Sequence, residues 1–60
     1  MQKGDIVNIT SAMVIDGETV YGTAEGFTVD AVNADGTVRV MYPNGWTCGY
    51  AHVTQLTRVA

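Results

Sequence analysis

Sixty residues, 47% of them hydrophobic and 15% charged, make one small domain spanning 1–60, in which only about 60% of the unfolded chain's surface can be buried. Six acids (Asp5, Asp16, Glu18, Glu25, Asp30 and Asp35) against Lys3, Arg39 and Arg58 give a net charge of −3. That balance disfavours nucleic acid, whose binding draws on Lys and Arg contacts that release counterions, and it disfavours anionic membrane surfaces for the same reason. A single cysteine, Cys48, excludes an intramolecular disulfide, and no second cysteine stands near it to suggest zinc.

The N-terminus, Met1-Gln2-Lys3-Gly4-Asp5, has no apolar run of the kind a signal peptide needs, and no stretch has the length of a membrane-spanning helix. The chain is therefore expected to be a cytoplasmic protein that starts at its natural Met and is the whole gene product. Asp5-Ile6-Val7-Asn8-Ile9-Thr10 alternates as a first strand, with Val7 and Ile9 on one face. Ala12–Ile15 and Glu18–Tyr21 then flank Asp16-Gly17. Both central positions of a type I′ turn need positive φ, which Gly adopts freely and Asp or Asn tolerate, so this pair predicts a protruding hairpin tipped by Asp16 and Glu18. Gly22-Thr23-Ala24-Glu25-Gly26 reads as a turn that swings the chain back.

Phe27–Asn33 and Thr37–Tyr42 straddle Asp35-Gly36 and form the clearest hairpin, with Phe27, Val29, Val38 and Val40 pointing inward. The break in alternation at Ala31-Val32 predicts either a bulge or the point where a bent strand changes sheets. Pro43-Asn44-Gly45 is another tight turn, and Trp46–Tyr50 is a fourth strand. Val53 and Leu56, three apart, suit one 3₁₀ turn that drops both side chains into the mouth of the fold before a last strand at Thr57–Val59. No segment reads as a regular α-helix.

Strand, long excursion, strand, tight turn, strand, tight turn, strand, 3₁₀ turn, strand is the order of the SH3-like small barrels, and three places carry the resemblance. Lys3-Gly4-Asp5-Ile6-Val7 resembles the opening Gly-Asp-x-Val of several such families, KOW domains among them. Asp35-Gly36-Thr37-Val38-Arg39-Val40 resembles their central Asp-Gly-x-Val-x-Val, and Tyr50–Leu56 is similar to their closing Val-x-x-Leu step. The resemblance implies an all-β fold: a single five-stranded SH3-like barrel with a protruding first-loop hairpin and a 3₁₀ turn before the last strand. It names an architecture rather than one family. The Ala-Leu-Tyr-Asp-Tyr motif of polyproline-binding SH3 domains is absent, and the loops that are basic in RNA-binding KOW domains carry Asp16, Glu18 and Asp35 here. The Val-Gln-Ile-Tyr run of the type II dihydrofolate reductases is replaced by Thr47-Cys48-Gly49-Tyr50. Ferredoxin-docking subunits of photosynthetic complexes share the strand order but rely on basic surfaces.

Cys48 and His52 stand four apart, yet a nucleophilic thiolate needs an electropositive setting that three scattered cations hardly supply, so Cys48 reads as a small hydrophobe and His52 as a rim residue. No catalytic residue, metal site or cofactor is expected. Tyr21, Tyr42 and Trp46 are expected to gather on one side with Asp16 and Glu18, forming an aromatic and acidic face that loosely resembles the methyl-lysine cages of Tudor-type barrels. Such a face suits a cationic peptide side chain. The plainer alternative has Trp46 and Tyr42 covering the open end of a small core with their polar tips in water.

The resulting expectation is a non-enzymatic interaction module that docks a protein partner through Tyr21, Tyr42, Trp46, Asp16 and Glu18, in the manner of small accessory proteins of phages or mobile elements. Two alternatives stand beside it. One is a homo-oligomer whose barrel makes a pore or cleft for a small ligand, since a thin core and exposed edges favour weak self-association. The other is a nucleic-acid-associated module of the KOW or Tudor kind.

Overall fold

The computed structural model describes residues 1–59, which form one antiparallel sheet. Its strands are β1 (Ile6–Ile15), β2 (Glu18–Val32), β3 (Thr37–Met41), β4 (Cys48–His52) and β5 (Leu56–Arg58), with a 3₁₀ turn at Val53–Gln55 just before β5. Their spatial order is β4-β3-β2-β1-β5. The all-β class, the five strands and the placement of the 3₁₀ turn agree with the sequence reading.

Closure does not. The sheet keeps two free edges, β4 and β5, and is not closed into a barrel. One reason lies in β4 itself. Gly49 pairs with Val40 and Ala51 with Val38, so the inward positions of that strand carry almost no side chain with which to fill a closed interior. The buried core is correspondingly compact: Val7, Phe27, Val29, Val38 and Val40, with Ile9 and Leu56 packed against it. Phe27, Val29, Val38 and Val40 thus take the inward positions that alternation gave them.

The three glycine-containing turns differ in type. Asp16 (φ 52) and Gly17 (φ 79) both have positive φ, as a two-residue type I′ connection between β1 and β2 requires. At Asp35-Gly36 only the glycine does (φ 90). There the Gly36 N–H donates to the Asn33 carbonyl (3.1 Å) and the Asn33 N–H to the Thr37 carbonyl (2.9 Å), the pattern of a type I turn closed by a left-handed glycine. The third turn closes through the Gly45 N–H on the Tyr42 carbonyl (2.9 Å) and the Tyr42 N–H on the Thr47 carbonyl (2.8 Å).

The stretch from Gly22 to Gly26 is not a turn. β2 runs straight through it, with Gly22 opposite Ser11, Thr23 opposite Thr10 and Ala24 opposite Ile9. The register slips between Val7 and Ile9, where Gly26 adopts φ 82 and its N–H donates to Asn8 Oδ1 at 3.3 Å. A bulge therefore bends the strand where a chain reversal was expected, because the cross-strand ladder satisfies the backbone on both sides of the glycines. A second bulge lies between Val29 and Ala31, one step earlier than the alternation placed it. β4 begins at Cys48 rather than Trp46, and β5 covers Leu56–Arg58.

The consequence for the surface is a β1–β2 arm longer than anything beside it. β5 pairs with β1 only from Val7 to Ile9, and β3 pairs with β2 only from Thr28 to Val32. Beyond Ile9 the arm is a two-stranded ribbon, and Ile9 to Ile15 at about 3.3 Å per residue reaches on the order of 20 Å outward. Among the described residues, no helix is long and apolar enough to cross a membrane.

Candidate functional site

Pairing and alternation assign each expected site residue to a face. On β1, Val7, Ile9, Ser11, Met13 and Ile15 share the core side, and their partners Phe27, Ala24, Gly22, Val20 and Glu18 share it with them. Tyr21 pairs with Ala12 and so lies on the other face of the arm, 72% exposed. Asp16 forms the type I′ tip and Glu18 is the first residue of the returning strand.

Tyr42 follows β3 on the core side. Its ring meets Phe27 edge-on, with centroids 5.0 Å apart and planes at 63°, a favoured aromatic geometry. The same ring lies over Gly49, where a Cβ would sit 3.1 Å from its Cε1. Tyr42 therefore covers the open end of the core, as the plainer reading had it. Trp46 does not. It is 91% exposed because Asn44 ties down the turn around it: Asn44 Oδ1 accepts from the Trp46 N–H at 2.9 Å and from the Thr47 N–H at 3.2 Å. A fixed backbone thus presents an indole to water.

The expected five-residue face is accordingly divided. Tyr42 and Trp46 belong to the β3–β4 turn, Asp16 and Glu18 to the arm tip, and Tyr21 to the far face of the arm. Between turn and arm the core side is open, forming a groove of about 300 Å³ whose walls include Ile9, Ala24, Phe27, Tyr42, Gly49 and Gln55. Its walls are mainly apolar, and no polar or charged residue of the described chain is buried.

Cys48 and His52 both face away from the core, since alternation on β4 sends Gly49 and Ala51 inward. Cys48 is exposed and pairs with Met41, while Tyr50 pairs with Arg39. Arg39 is held more firmly protonated, chiefly by the neighbouring Cys48 sulfur and then by Asp30, whose carboxylate lies 3.5 Å away. His52 has a structural task. Its Nδ1 accepts from the Thr54 N–H at 3.3 Å, and Gln55 Oε1 accepts from the His52 N–H at 3.0 Å, a reciprocal cap on the 3₁₀ turn. Asp35 has its carboxyl held below the usual carboxylate value, chiefly because it accepts the Thr37 N–H, at 2.9 Å. Among the described residues, no three His, Cys, Asp or Glu side chains come together as a metal ion would need.

Two surface features escape the expected list. Tyr50 is 71% exposed on the outer face of β4, and Met13, Val14, Ile15 and Val20 are between 43% and 75% exposed along the arm. The second was visible in principle as an uncharged run from Ile6 to Ile15, more apolar than a solvated hairpin needs. Comparison with protein-family models, with curated proteins and with solved structures finds no match to this chain.

Proposed function

We propose that this chain is a non-enzymatic interaction module that docks a protein partner, with Trp46 as the anchor. The observation that carries the reading is an indole 91% exposed on a turn whose backbone Asn44 holds in place. Leaving a tryptophan in water forgoes about 1.5–3 kcal/mol of burial. A turn that maintains this exposure suits a docking role, because tryptophan is the residue type most enriched at binding hot spots and a preformed turn lowers the ordering cost of association.

Tyr42 sets the base of that turn, and the open groove beside it offers an apolar floor for whatever Trp46 engages. Asp16, Glu18 and Tyr21 on the arm supply a second contact region, acidic at the tip and aromatic on the far face. A partner with Lys or Arg side chains suits both regions, since ring faces and carboxylates attract cations. The strand order and the 3₁₀ turn before the last strand support reading the fold as an opened relative of the SH3-like small barrels. That kinship is of architecture, and function is argued from the surface.

The test is a pull-down from the native host with wild-type protein and Trp46→Ala, the two first shown to unfold at the same temperature. A specific partner retained by the wild type and lost by the variant is the expected outcome. Equal recovery by both removes Trp46 as the anchor.

A further inference from the structure

The outer edge of β1 has no strand beside it beyond Ile9, where β5 stops. Edges of this kind are normally blunted by Lys, by Pro, by a bulge or by brevity. β5 itself is only three residues long and carries Arg58. The free segment Ala12-Met13-Val14-Ile15 has none of these devices: it is uncharged, lies clear of the bulge between Val7 and Ile9, and exposes Met13 by 54%, Val14 by 75% and Ile15 by 51%.

We infer that this edge pairs antiparallel with the same edge of a second copy of the chain, about a two-fold axis at Val14. The inference is independent of docking by Trp46, which lies on a different turn. Such an axis sets Val14 opposite Val14 of the second copy and Met13 opposite its Ile15, twice over, so each face of the joined ribbon gains apolar cross-strand neighbours. Sliding the axis to Ile15 would oppose Val14 to Asp16 instead. The Val14 register also keeps the two Asp16 tips at opposite ends of the contact, about 13 Å apart along the strand. Two crossing arms would make a four-stranded ribbon where one arm alone is a two-stranded ribbon, which is marginal in water.

Self-complementarity is what selects a second copy as the occupant. The segment offers no charge to steer a foreign partner, and under the two-fold every free position except the Ala12–Asp16 rim meets an apolar side chain. The contact is short, at the low end of specific interfaces, so the dimer should be weak, with a dissociation constant on the order of 10–100 μM.

Sedimentation of the full chain across that range tests the inference, together with two variants. Val14→Lys places like charges opposite each other and should weaken the dimer by about tenfold or more. Because Val14 is exposed in the single chain, circular dichroism of this variant should be unchanged. Val14→Cys in a Cys48→Ser background should form a disulfide-linked dimer on mild oxidation, while Tyr21→Cys in the same background should not. A chain that stays monomeric to ~1 mM overturns the inference. So does a dimer that survives Val14→Lys and gives no Val14→Cys cross-link.

Discussion

Replacing Gly36 by Ala perturbs two things at once, and the structure separates them. Gly36 has φ 90, where a side chain strains the backbone by about 1–2 kcal/mol. An added Cβ would also lie 2.6 Å from His52 Nε2. The imidazole must then move, and with it goes the acceptor that caps Thr54, a loss of about 1 kcal/mol on the scale of helix caps. Gly36→Ala should therefore cost about 2–3 kcal/mol, a fall of on the order of 10–20 °C in melting temperature for a domain this small. In a His52→Ala background the clash and the cap are already gone, and the same substitution should cost only the backbone strain of about 1–2 kcal/mol. Urea unfolding of the four proteins gives the coupling energy, expected at about 1 kcal/mol. Strict additivity would refute the idea that His52 rests on Gly36 while capping the 3₁₀ turn.

Val29→Ala removes side-chain volume at a position 1% exposed and should destabilise by about 2 kcal/mol in the same assay. Tyr42→Phe should be nearly neutral, because the edge-on contact with Phe27 is made by the ring and the residue is partly open to water, whereas Tyr42→Ala should cost at least about 1–2 kcal/mol of aromatic contact and burial. The lowered carboxyl of Asp35 sets a pH dependence: its contribution is fully present above the ordinary carboxylate range and is lost as pH falls through the lowered value. Asp35→Asn keeps an oxygen for the Thr37 N–H and should flatten that acid limb of the stability profile, while Asp35→Ala should flatten it and lower stability at neutral pH as well.

What the sequence disclosed was local. The pair Asp16-Gly17 specified a type I′ tip because both residues can take positive φ, and both do. Asp35-Gly36 marked a hairpin but not its type, since the same dipeptide also suits a type I turn closed by glycine alone. Gly22 and Gly26 looked like chain breakers when read singly. Only the facing strand, with Ser11 and Asn8 in reach, shows that one sits in the ladder and the other in a bulge. Closure was equally beyond local reading, because it depends on whether Gly49 and Ala51 bring enough side chain to an interior formed by distant strands.

The site divides along the same line. Sequence singled out Tyr42 and Trp46 as neighbours on one turn, but nothing in their spacing says which of the two covers the core. Tyr42 takes that task by lying on Phe27 and Gly49, and the Asn44 hydrogen bonds leave Trp46 outside. Tyr21 shares a side with Tyr42 only if the first long loop lies near the start of the fourth strand, as in an SH3-like barrel. With β2 continuous, alternation carries it to the opposite face.

Because Trp46 is the sole tryptophan of the chain, its fluorescence reports on the anchor alone. Emission of a fully hydrated indole, freely quenched by acrylamide and unchanged across the monomer–dimer range, is the result this account predicts for the protein without its partner. A blue-shifted, quencher-protected emission from the folded monomer would mean that the indole is already buried, and the docking surface would lose its anchor.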